Sequence, residues 1–157
     1  MKTMVRKKRA NCDSVFTPRK TFVLVGCAAG KEKQAAAAQD LYVSALFRKA
    51  RRFAEKYGDA WFILSARHTL LSPNKIIEPY NQSLNEMPRS AQKKWARGVA
   101  EAIRQVAPAS SQVILLAGTN YRRDLEPLLL ELGYPVETPL KGLGIGKQLQ
   151  RLKEWVG

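Results

Sequence analysis

Three short apolar runs, residues 21–26, 61–65 and 112–117, each stop abruptly at a polar or small-residue cluster. Continuous rather than alternating hydrophobicity over five or six residues marks strands buried on both faces, the habit of parallel sheets covered by helices. If the three runs are parallel, Cys27, the run Ser65-Ala66-Arg67-His68 and the run Gly118-Thr119-Asn120-Tyr121 gather at one carboxyl edge. Open α/β sheets hold their ligands at that edge.

The intervening segments read as helices. In residues 44–57, Leu46, Ala50, Phe53, Ala54 and Tyr57 share one side of a 3.6-residue wheel, and Arg48, Lys49, Arg51, Arg52 and Lys56 cover the other. In residues 90–106, Trp95, Val99, Ile103 and Val106 repeat that pattern behind Ser90 as an N-cap. A short helix over 124–132 stops at Gly133, and a last one covers 147–155. Residues 134–137 form a fourth, weaker strand, which Pro135 directs to an edge. The alternation predicts a single three-layer α/β domain over 21–157, with a mostly parallel sheet of about four core strands flanked by helices.

The chain carries a formal net charge of +14 over 157 residues. Residues 1–20 lack periodicity and hold seven Lys/Arg against one Asp, so they read as a basic flexible arm, yet over half of the excess lies beyond them. Such a surface points to a polyanionic partner, nucleic acid before anionic lipid, with a merely solvated basic face as the plain alternative. No apolar run approaches the roughly 20 residues of a membrane span, and the basic start is not followed by an apolar signal core. A cytoplasmic protein without membrane association is expected. Two cysteines and one histidine make neither a disulfide framework nor a zinc set, so no metal and no cofactor are expected.

Several polar residues stand where chemistry is done. The turn from Gly26 to Lys31 presents backbone N–H groups that suit an anion, with Lys31 adding a charge, although it lacks the phosphate-loop pattern and equally suits a tight turn around a buried Cys27. His68 follows a strand directly, beside Ser65 and Arg67, and is as compatible with a structural as with a functional role. Glu78, Tyr80 and Asn81 place a carboxylate, a phenol and an amide in one stretch that Pro79 keeps extended. Asp40 reads as the N-cap of the basic helix with Ser44 in its first turn, or as a site carboxylate next to Tyr42.

The segments Val25-Gly26-Cys27 with Lys31, residues 40–48, residues 63–71 and Glu78-Pro79-Tyr80-Asn81 resemble a small bacterial and phage domain family catalogued as of unknown function. The likeness continues through Leu116-Ala117-Gly118, Tyr121-Arg122 and residues 139–148, and so covers about 21–155. That family is distantly similar to the YaaA peroxide-stress proteins, and some of its members resemble anti-phage DNA glycosylases. This chain departs from the family pattern at Ala28 and Thr69, where glycine is usual, and at Asn81, where aspartate is common.

The resemblance implies a metal-independent DNA glycosylase acting on modified bases of phage DNA, with glucosylated 5-hydroxymethylcytosine as first candidate. Breaking a nucleoside bond builds an oxocarbenium-like sugar and a departing base anion, which calls for an acceptor near water or the cation and donors for the base. Asp40, His68 and Asn81 are the expected catalytic residues. Cys27, Lys31, Tyr42, Ser44, Ser65, Arg67, Tyr80, Gly118 and Tyr121 are expected to bind substrate, with Tyr42 or Tyr121 stacking on a flipped base. Arg48, Lys49, Arg51 and Arg52 are expected on the phosphates of double-stranded DNA. The rival readings are a non-catalytic DNA-binding stress protein and an enzyme modifying tRNA bases or nucleosides.

Overall fold

A computed structural model describes residues 19–27 and 30–157 of the chain. The expected arm up to Pro18, and Ala28 and Ala29 of the turn, lie outside the described residues.

The apolar runs form the strands expected of them. Strands β1 (Thr21–Gly26), β3 (Ala60–Ser65), β6 (Gln112–Leu116) and β7 (Val136–Glu137) are parallel neighbours, and β4 (Thr69–Leu71) adds an antiparallel edge, in the order β4-β3-β1-β6-β7. Phe22 and Leu24 face one layer and Val23 and Val25 the other, all buried. One layer is formed by α2 (Ala45–Tyr57) and α5 (Ile145–Val156), packed through Phe53, Ala54 and Leu152. The opposite layer is formed by α3 (Arg89–Val106) and α4 (Thr119–Glu131), packed through Trp95, Val99, Ile103, Leu125 and Leu129. The protein is a three-layer α/β domain.

Strand order decides where a ligand crevice opens. From the central β1 the chain passes through α2 to β3 on one side, then through α3 to β6 on the other. Strand addition reverses between β1 and β6, and the two connecting helices pack on opposite faces, which makes their carboxyl ends a topological switch point, the place where open α/β sheets hold ligands. Gly26 ends β1 at that seam. A Cβ on Gly26 would meet Ala117 Cβ at 3.0 Å and Ala117 Cα at 3.2 Å, so the close approach of the two strand ends favours glycine there.

Four local expectations are corrected. Ser44 caps α2, its hydroxyl accepting from the Phe47 N–H at 3.1 Å, whereas Asp40 lies in a separate short helix, α1 (Ala38–Leu41). Helix α3 starts at Arg89 after Pro88, whose fixed φ of −65° suits a helix entry, so Ser90 is inside the helix and is no cap. Helix α4 begins at Thr119, because Tyr121, Leu125 and Leu129 already form a buried stripe at four-residue spacing. The polar residues between Thr119 and Asp124 hide that start. The hairpin partner β4 and a two-stranded ladder of β2 (Ala36–Ala37) with β5 (Ile76–Ile77) were not expected, being too short to show a period.

Among the described residues no helix is long and apolar enough to cross a membrane, and no group of three or more His, Cys, Asp and Glu could hold a metal ion.

Candidate functional site

The tight link between β3 and β4 organises the site. Ser65 pairs with Thr69 across a hairpin whose loop is Ala66-Arg67-His68. Thr69, the first β4 residue after that loop, sits in the left-handed region with φ of 60°, a conformation that glycine adopts freely. This chain holds that conformation with a β-branched residue whose hydroxyl donates to the His68 carbonyl at 2.5 Å.

The loop turns two backbone N–H groups onto the buried Ser65 hydroxyl, from Arg67 at 3.3 Å and His68 at 3.0 Å. A hydroxyl oxygen has two lone pairs and one proton. With both lone pairs engaged, Ser65 donates its proton to the Tyr80 oxygen, 2.8 Å away. Tyr80 in turn lies 2.6 Å from the Tyr42 hydroxyl. Whichever tyrosine donates across that contact, the Ser65–Tyr80–Tyr42 chain of two hydrogen bonds uses two of its three protons. One phenolic O–H is surplus. Burial pushes the Tyr42 hydroxyl up to about 12 and the Tyr80 hydroxyl higher still, so both stay protonated donors.

His68 and Lys31 flank this pair. The His68 ring meets the Tyr80 ring edge-on at 5.4 Å, and Lys31 Nζ sits 4.6 Å from the Tyr80 ring centroid and 5.7 Å from that of Tyr42. Burial, with the charges of Arg67 and Lys75, lowers the His68 pKa and favours the neutral imidazole. Lys31 is positioned by backbone pairing of its segment with the one leading into α2: Glu32 N–H donates to Leu41 at 2.8 Å and Val43 N–H to Gly30 at 3.1 Å.

A second group sits at the β1–β6 seam. Cys27 Sγ contacts the Tyr121 hydroxyl at 3.4 Å, and the Leu84 N–H donates to that hydroxyl at 3.5 Å. Burial raises the Tyr121 pKa, and its ring stands edge-on to Trp95 at 5.3 Å. Trp95 Nε1 donates to the Ser65 carbonyl at 2.8 Å, tying the α3 layer to the hairpin. Sequence reasoning placed Trp95 only on an apolar stripe. Its indole N–H, which needs a partner when buried, was the available signal.

The structure thus joins Ser65, Tyr80, Tyr42, His68 and Lys31 directly, and Cys27 with Tyr121 beside them. Tyr42 and Tyr121 are 1% and 7% exposed, with rings packed in the core, so neither offers the open face expected for stacking on a flipped base. Tyr80 and His68 are the half-buried rings. Asp40 turns away from the core on the outer side of α1, where Ala38 and Leu41 are buried, and its carboxylate pairs with Arg51 at 2.9 Å. Arg51 also binds Glu55 at 3.0 Å and the Gln39 carbonyl at 3.0 Å, whereas Arg48 and Arg52 are exposed and Lys49 is half-buried. Asn81 follows Tyr80 exposed, Arg67 is exposed on the hairpin loop, and Gly118 is the exposed N-cap of α4. Asp124, a further carboxylate, is held by Arg89 at 2.7 and 2.9 Å, and that pairing lowers its pKa.

The protein is a three-layer α/β domain that carries an oriented hydroxyl chain, Ser65–Tyr80–Tyr42, near the carboxyl edge of its mostly parallel sheet. The chain belongs to a family of unknown function, DUF6884, whose pattern matches residues 22–154. It is similar to the uncharacterized protein YfjM of Bacillus subtilis (strain 168), 27% identical over 131 residues that span 76% of this chain and 79% of that protein. No solved structure gives a significant match.

Proposed function

We propose that the protein is a DNA glycosylase that hydrolyses the N-glycosidic bond of modified bases in phage DNA. The observation that carries this reading is the surplus phenolic proton of the Ser65–Tyr80–Tyr42 chain, a preorganised neutral donor for charge developing on a departing base. The C1′–N bond breaks with its electron pair leaving on the base, and the phenol hydrogen-bonds the base as it departs. Neutral His68 accepts a proton from the water whose oxygen adds to C1′, and the released base takes up a proton in turn. Lys31 and the +14 charge of the chain favour a polyanionic substrate. The resemblance to YaaA-like proteins and to anti-phage glycosylases supplies the substrate class, with glucosylated 5-hydroxymethylcytosine first, since an enzyme excising ordinary cytosine would damage its host.

The test is to treat phage DNA carrying glucosylated, hydroxymethylated or unmodified cytosine and count alkali-labile abasic sites. Abasic sites confined to the modified DNA support the proposal. Equal damage to unmodified DNA, or none to any, overturns it. DNA binding without abasic sites would favour the non-catalytic reading, and activity confined to tRNA or free nucleosides the third.

A further inference from the structure

The segment after Lys31 and the start of α2 border an open groove of about 620 Å³. Lys31, Lys33 and Arg48 line it together with a single carboxylate, Glu32, and the rest of the lining is uncharged. Lys31 belongs to both places, since its ammonium also rests against the Tyr80 ring. An anion that follows the groove is therefore led to the hydroxyl chain.

We propose that this groove binds the phosphodiester backbone of the polynucleotide strand whose base reaches Tyr80, with Lys33 and Arg48 as its outer phosphate contacts. The inference rests on the nucleic-acid substrate class proposed above, and it moves the phosphate track from the outer face of α2 to one of its edges. Arg48 faces the groove, whereas Arg51 is committed to Asp40, Glu55 and the Gln39 carbonyl. Three cations against one carboxylate suit a repeated anion better than a neutral ligand. A phosphodiester backbone supplies such a repeated anion.

The experiment measures binding of a fluorescent, unmodified oligonucleotide across a salt series, for the wild type, the double variant Lys33→Ala with Arg48→Ala, and Glu32→Gln. The double variant is expected to bind at least about tenfold more weakly at low salt, with the slope of log affinity against log salt reduced by about 1.4 to 1.8 for two lost phosphate contacts. Glu32→Gln is expected to bind more tightly, and a peptide nucleic acid of the same sequence, with its neutral backbone, should not compete. Unchanged affinity and slope in the double variant, or equal competition by the neutral backbone, overturns the groove. Because this readout needs no modified base and no bond cleavage, it stands apart from the abasic-site assay. Normal groove behaviour without abasic sites defeats only the glycosylase reading, and abasic sites with unchanged slopes defeat only the groove.

Discussion

The Ser65 hydroxyl lies 2.8 Å from the Tyr80 oxygen while it accepts the Arg67 and His68 N–H groups of its own hairpin loop, so the direction of the Ser65–Tyr80 hydrogen bond is set by backbone. Removing either hydroxyl has different consequences. Tyr80→Phe deletes the hydroxyl at the centre of the chain and leaves the buried Ser65 proton unpaired. Base excision should fall by about 10²-fold or more, as when one preorganised donor is lost from an oxyanion site. Ser65→Ala should cost about 1–3 kcal/mol of stability, because two loop N–H groups lose their acceptor. A Tyr80→Phe protein with unaltered excision rate would remove the hydroxyl chain from the mechanism.

Thr69 sits at φ of 60°, a conformation that costs a residue bearing a Cβ about 1–2 kcal/mol relative to the right-handed region. Thr69→Gly relieves that strain, gives up the hydroxyl contact with His68, and adds unfolded-state entropy of roughly 0.5–1 kcal/mol. The expected net effect is a gain of up to about 1 kcal/mol, seen as a Tm higher by at most about 2–4 °C. A Tm lowered by several degrees would mean that the Thr69 side chain contributes packing beyond its local bond.

How far the site could be read in advance follows from the range of each contact. Cys27, Ser65, His68 and Tyr121 converge because each ends a strand, follows one or opens the helix after one, and apolar runs locate strands. Tyr42 and Tyr80 meet across 38 residues through two irregular segments, a contact that no local pattern encodes. Asp40 looked like a site carboxylate by its neighbours in the chain. Its partner is decided by the three-dimensional path of α1 beside α2, which sets it against Arg51. The hairpin leaves no local signal because Thr69 takes a backbone conformation that its side chain disfavours, and no glycine marks the turn.

Gly26 is the point where the fold and the site share one requirement. A methyl group there would stand 3.0 Å from Ala117 Cβ and 3.2 Å from Ala117 Cα, so one of the two strand ends has to shift by a few tenths of an ångström. Gly26→Ala should destabilise by about 1–3 kcal/mol, the usual cost of overpacking a filled interior. It should also separate the ends of β1 and β6, and so weaken the Cys27–Tyr121 contact at that seam. Urea denaturation checks the first effect and the excision rate the second. A stable, fully active Gly26→Ala protein would show that the seam tolerates opening.

His68 gives the protein a predictable pH response. Burial and the charges of Arg67 and Lys75 lower its pKa below 6.5, so the unfolded chain binds the imidazole proton more tightly than the folded protein does. Between the folded value and 6.5 the unfolded state carries the extra proton, so this contribution to stability is complete above 6.5 and is lost as pH falls through the window. Excision should follow the same sign, because only the neutral ring can take a proton from water. Wild-type activity should therefore persist at pH 6.5 and decline in more acidic buffer, with an acid limb that His68→Gln abolishes together with most of the rate. Thermal melts of the two proteins from pH 5 to 8 should diverge only on the acid side, where the His68→Gln protein lacks the titration. Parallel stability curves over that range would show that His68 keeps its ordinary affinity for protons and would withdraw it from the role of base.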